Sequence, residues 1–144
     1  MIDKKITEFI NEHHVATFTV SDGKDIWSWH ALYVYLVEEN LFVIASESKT
    51  KHIQMLLNGG NSVLAGAIAL ETETIGLIRG VQFKAEIKIC NGTILNKYRL
   101  RYLKRFPYAV LVGGDLWTIK MTEIKFTDNR LGFGKKLIWK VSDN

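Results

Sequence analysis

The chain has 144 residues, 47% apolar and 24% charged, with 19 lysines and arginines against 15 aspartates and glutamates. That length is enough for one domain with a full core, and no apolar run is long enough to span a bilayer. A net charge of +4 admits anionic ligands without demanding nucleic acid, and the single cysteine, Cys90, excludes an internal disulfide.

The N-terminus, Met1-Ile2-Asp3-Lys4-Lys5, lacks the apolar centre of a signal peptide, which predicts a cytoplasmic protein. Ile2, Ile6, Phe9 and Ile10 recur at helical spacing and predict a helix over 2–13. Val15 to Val20 reads as a strand and Ser21-Asp22-Gly23-Lys24 as a turn. A long strand runs from Ile26 to Val37, turns at Glu38-Glu39-Asn40 and returns as Leu41 to Ser46. A short helix from Lys51 to Leu57 ends at Asn58-Gly59-Gly60-Asn61. Strands follow over 62–70 and 75–89, the second with Gly76 and Gly80 as bulge or bend sites and with Cys90 buried at its end. Leu95, Tyr98, Tyr102 and Phe106 form an apolar helical stripe that Pro107 stops. The rest is strand again: Leu116 to Thr127, a turn over 128–134, then Lys136 to Val141. Many strands, few helices and no β-α-β alternation predict a mainly β protein, an antiparallel barrel with small helices packed on it.

Both faces of Ile26–Val37 are largely apolar. Trp27, Trp29, Tyr33 and Tyr35 lie on one, and Ile26, His30, Leu32 and Val34 on the other. A barrel strand needs only one apolar face. The second face therefore calls for a helix or another subunit, and we expect a dimer.

Chemistry concentrates at Leu41–His52, where an apolar strand stops at Ser46-Glu47-Ser48-Lys49-Thr50-Lys51 and a helix begins. Hydroxyls, backbone N–H groups, lysines and a helix N-terminus can together hold a phosphate; the other reading is a solvated basic loop. His13 and His14 are neighbours that face different ways on a helix, and no metal cluster is evident. His52 can touch a phosphate or sit on the surface, and His30 stands among aromatics. Lys97, Arg99, Arg101, Lys104 and Arg105 spread around their helix without a stacking stripe, which reads as a solvated face rather than a nucleic-acid surface.

The order of elements resembles the FMN-binding split barrel, an antiparallel, Greek-key-like barrel shared by pyridoxamine 5′-phosphate oxidases and their relatives. Four segments carry it: Ser46–Leu57, Arg79–Glu86, Tyr102-Leu103-Lys104-Arg105-Phe106-Pro107 and Trp117–Phe126. Leu77–Lys84 and Ile124–Trp139 are similar to a small uncharacterised bacterial family within that superfamily, one that brings no activity with it.

The resemblance implies a homodimer with FMN at the subunit interface. It implies a phosphate grip at Ser46, Lys49, Thr50 and Lys51, and the flavin ring along His30, Ala31 and Leu32. Gln82 lies on the strand that carries a flavin-contacting glutamine in the oxidases, and Lys136 roughly matches a basic residue used on FMN. Two cations that the oxidases place on the second strand are missing, with Trp29 or His30 and Val34 or Tyr35 in their positions. The oxidases' Arg-x-His pair is also missing from 128–136, which argues against pyridoxamine-phosphate oxidation. The resemblance thus implies a flavin-dependent oxidoreductase acting on a small substrate, with no catalytic base evident. The alternative is a non-catalytic flavin or haem carrier or sensor, with His30 as the haem ligand.

Overall fold

Alternation sets the strands. In β1 (Val15–Ser21), Ala16, Phe18 and Val20 are buried between exposed Val15, Thr17 and Ser21. The computed structural model describes residues 1–60, 62–111 and 113–143. Asn61, expected in the turn after the second helix, lies outside the described residues. The remaining elements are α1 (Lys4–Glu12), β2 (Ile26–Leu36), β3 (Leu41–Ser46), α2 (Lys51–Gly59), β4 (Val63–Ala69), β5 (Arg79–Ile89), α3 (Ile94–Arg105), β6 (Asp115–Asp128) and β7 (Lys136–Lys140).

All strand pairs among the described residues are antiparallel, in the order β3-β2-β1-β4-β5-β6-β7, and a further β3–β6 pairing closes six strands into a barrel. The chain leaves β3, passes through α2 and lays β4 beside β1, which makes the first four strands a Greek key. β6 serves two partners along one edge. Its first half pairs with β3 and its second half with β7.

Two cores result. The barrel interior holds Phe18, Tyr33, Phe42, Phe83 and Phe126, and α1 adds Ile6, Phe9 and Ile10, each of these three at most 1% exposed. Burial of each such side chain stabilises the fold by roughly 1.5–3 kcal/mol. The second core lies outside the barrel, where Tyr98 and Tyr102 of α3 cover Val34, Leu36, Val43 and Leu116, with Cys90 beside them. The second apolar face of β2 is therefore covered by α3 at its C-terminal end. Ile26, Ser28, His30 and Leu32 do not share that cover.

Three expectations need correction. Ile75–Leu77 is a 3-10 turn and the strand begins only at Arg79. Asn129 explains this, because its backbone N–H donates to Ile78 O and its Nδ2 to Ile75 O, at 3.0 and 2.9 Å. The sheet irregularity falls between Lys84 and Ala85, opposite Thr122, rather than at Gly76 or Gly80. Lys97 and Arg101 are not simply solvated, since they pair with Glu39 and Glu38 at 3.4 and 3.3 Å and tie α3 to the β2–β3 turn.

The segments Leu77–Lys84 and Ile124–Trp139 meet in space. Arg79 pairs with Asp128 across β5 and β6. The Asp128 side chain is buried and accepts from the backbone N–H, Nε and Nη2 of Arg130. That guanidinium holds the Asp128 carboxyl below the usual carboxylate range.

Candidate functional site: a groove outside the barrel

The site begins where the second core ends. His30 and Leu32 on the outer face of β2, with Ala45 of β3, lie opposite Tyr102 and Arg105 of α3, Phe106 just beyond its end, and the Pro107–Ala109 turn. Together they enclose about 510 Å³. A narrower space of about 170 Å³ shares Ala45, Tyr102 and Ala109 with it and extends to Gly114. Gly114 then borders an open hollow with Glu47, Ser48, Lys49 and Asp115. Shared lining residues place the three spaces side by side between His30 and Lys49, and together they are referred to as the groove.

Gly114 is required at the narrow point. Its φ is +124°, and a Cβ there would sit 3.2 Å from the carbonyl carbon of Ser46. A larger hollow of about 820 Å³ lies elsewhere, between α1 and the β6–β7 region, and contains none of the expected site residues.

The structure divides those residues. His30, Ala31 and Leu32 line the wide end of the groove and Lys49 the other end. Ser46 continues the inward alternation of Phe42 and Ile44, and its Oγ is 2.7 Å from His52 Nε2. Thr50 Oγ1 donates to Glu47 O at 2.8 Å and lies 3.2 Å from the same ring nitrogen. Lys49 pairs with Glu47 at 3.2 Å. Lys51 turns away to Asp25, at 3.3 Å, and stands 3.9 Å over the Trp27 ring. Gln82 is exposed on β5, and Lys136, exposed on β7, donates to Gly134 O.

Two residues matter more than the sequence suggests. Arg105 donates to Tyr33 O and His13 O, so its charge is anchored beneath the groove wall instead of in solvent. His52 is buried, 8% exposed, and stacks on Trp29 with ring centroids 4.0 Å apart and planes 6° apart. Thr50 gives its hydroxyl proton to Glu47 O, and the Ser46 hydroxyl, at 2.7 Å, is the nearer partner of His52 Nε2. The only sequence signal for either residue is an aromatic-rich β2, which offers stacking partners.

Burial pushes the His52 pKa down from 6.5 to about 4. A lowered folded-state value means that the unfolded chain binds the proton first. Stability is full above pH 6.5 and falls as pH drops toward 4. At about 1.4 kcal/mol per pH unit, the expected loss across that window is roughly 2–3 kcal/mol. Thermal melts should show His52→Gln with a flatter profile there than the parent; parallel profiles would refute the assignment.

A closed six-stranded Greek-key barrel defines a split barrel of the pyridoxamine-phosphate-oxidase-like fold. Two solved structures represent it. A haem-binding protein from Mycobacterium smegmatis superposes with a TM-score of 0.72 at 15% identity, over 88% of this chain and 52% of that one. This chain thus spans about half of that protein's length. An FAD-binding protein from Mesorhizobium loti superposes with a TM-score of 0.68 at 10% identity, over 86% and 90% of the two chains. No family model matches. The UPF0306 protein YhbP of Escherichia coli is 40% identical over 134 residues, 93% of this chain and 90% of its own. The chain belongs to the UPF0306 family.

Proposed function

We propose that this chain is an FMN-binding protein that works as a flavin-dependent oxidoreductase on a small substrate, with its groove completed in a homodimer. The succession of neighbouring spaces from His30 to Lys49 carries this reading. Its wide end is apolar and aromatic, with Tyr102, Phe106 and Tyr108 in the lining and no carboxylate among the described residues. Its other end opens on Ser48 and Lys49, flanked by Glu47 and Asp115. A flat ring with an anionic tail suits that gradient. Glu47 and Asp115 now pair with Lys49 and Ser48, and a phosphate would replace them as partner. Ser46 and Thr50 shape the turn from below, and Lys51 braces it against Trp27.

A bound flavin supplies the redox chemistry. The chain's own residues bind the tail, orient the ring along His30–Leu32 and exclude water. The missing Arg-x-His pair argues against pyridoxamine phosphate as substrate.

The homodimer is supported by the outer face of β2, β1 and β4. His30, Thr17 and Ala67 form one cross-strand row, and Ser28, Thr19 and Ala65 the next. No charge interrupts either row before β5, where Gln82 and Lys84 follow. An isologous partner on this face would cover the open side of the groove and bring its own Gln82 near.

The visible spectrum of the purified protein, before and after FMN is added, tests the reading. Flavin bands that bleach with NAD(P)H or a chemical reductant are expected. In fluorescence titration Lys49→Ala should weaken FMN binding by about tenfold, the value of one charge-assisted contact, and Lys51→Ala should change it little. Equal losses would refute the division of roles. A second reading, haem held by His30 on the groove floor, predicts a Soret band without flavin bands.

A further inference from the structure

His52 touches both halves of the site from beneath. Its ring face lies on Trp29, whose chain neighbour His30 begins the wide end. Its Nε2 reaches Ser46 and Thr50, which flank the Glu47–Lys49 segment at the narrow end. Other bonds hold the turn to its own surroundings. Trp117 Nε1 donates to Ser46 O at 3.0 Å and Gln54 Nε2 donates to Ser48 O at 2.7 Å. Neither of those bonds involves β2.

We propose that His52 is a positioning residue that fixes the distance between the ring-binding strand and the tail-binding turn, and so selects ligands by the reach of their anionic tail. The proposal rests on the flavin reading given above. A buried neutral imidazole suits this role, because the stack resists tilting and the hydrogen bonds resist sliding. Without the hydrogen bonds, the turn keeps its ties to α2, to β6 and through Lys51 to Trp27, but loses its link beneath the ring-binding strand, and the tail site drifts relative to the ring site. An error of this kind lowers affinity for a ligand that engages both ends and leaves a ligand engaging one end unaffected.

The test uses FMN and riboflavin, which share a ring and differ by the phosphate, in fluorescence titrations of the full chain. His52→Phe keeps an aromatic stack and removes the hydrogen bonds; His52→Gln keeps a donor at the reach of Nε2. The Phe variant should lose about tenfold in FMN affinity while riboflavin stays within about twofold, and the Gln variant should recover most of the loss. Faster amide exchange at Glu47–Thr50 in the Phe variant should accompany it. If that variant fails to fold, Ser46→Ala with Thr50→Val cuts the same link from the other side. Equal losses for both flavins, or no loss for FMN, overturn the proposal alone. A parent protein that binds neither flavin overturns the flavin reading first and this proposal with it.

Discussion

Ala67→Glu should convert the proposed dimer to a folded monomer with weakened flavin binding. Ala67 stands on the outer face of β4 in the row His30–Thr17–Ala67, exposed to solvent in the single chain. A glutamate there costs the isolated fold little. In an isologous dimer every substitution occurs twice, so two carboxylates enter an uncharged interface. An unpaired charge buried in this way costs several kcal/mol. Each 1.4 kcal/mol is a factor of ten, so the dimer should weaken by at least roughly a hundredfold. Light scattering should report half the parent mass, with a melting temperature within a few degrees of the parent's. Flavin affinity should fall with it, because the groove's open side loses its cover. A variant that stays dimeric removes this face from consideration, and a monomeric parent removes the interface altogether.

Gly66→Ala should damage the fold itself. Gly66 lies mid-strand in β4, where a Cβ would meet Phe83 Cζ at 2.3 Å, Phe83 Cε2 at 2.6 Å and the backbone oxygen of Thr17 at 2.8 Å. The Phe83 ring lies over the glycine and packs edge-on to Phe18 and tilted to Phe42. Neither the ring nor the β1 backbone can retreat without disturbing that cluster. Overpacking of this kind costs about 1–3 kcal/mol, and two simultaneous clashes argue for the upper end. The melting temperature should drop by roughly 6–9 °C. Phe83→Leu opens space over the glycine, so the double variant should be more stable than the sum of the single effects implies. Strict additivity would show that the backbone of β1, and not the ring, is what the methyl group strikes.

The barrel was legible because its strands alternate and their turns carry glycine, asparagine and aspartate. The Tyr98–Tyr102 stripe was legible because a four-residue spacing admits a helix face and little else. The 75–78 segment was misread because apolar residues in sequence look alike whether they enter a sheet or cap a turn. What decides between them is Asn129, some fifty positions away, which takes the backbone carbonyls that a strand would have used. The basic Ser46–His52 turn was legible as a composition but not as a geometry. Spacing cannot show that Lys51, at the first position of α2, turns toward Trp27 while Lys49 stays with the groove. His52 was harder still. Among lysines it reads as a phosphate contact or a surface residue, and neither reading foresees that Trp29, Ser46 and Thr50 pack around it. For the same reason Arg105, one of several cations on α3, gave no sign that its head would reach back to His13 and Tyr33.

The cylinder is held by its own interior, while the roof over the groove is a small, separately packed annex built from α3 and the turn that follows it. Residues 106–109 of that annex line the space without entering the barrel interior, whereas Tyr102 and Arg105 bind it to the cylinder through Leu32 O, Tyr33 O and His13 O. The interior of the cylinder and the lining of the proposed site are drawn largely from different parts of one short chain.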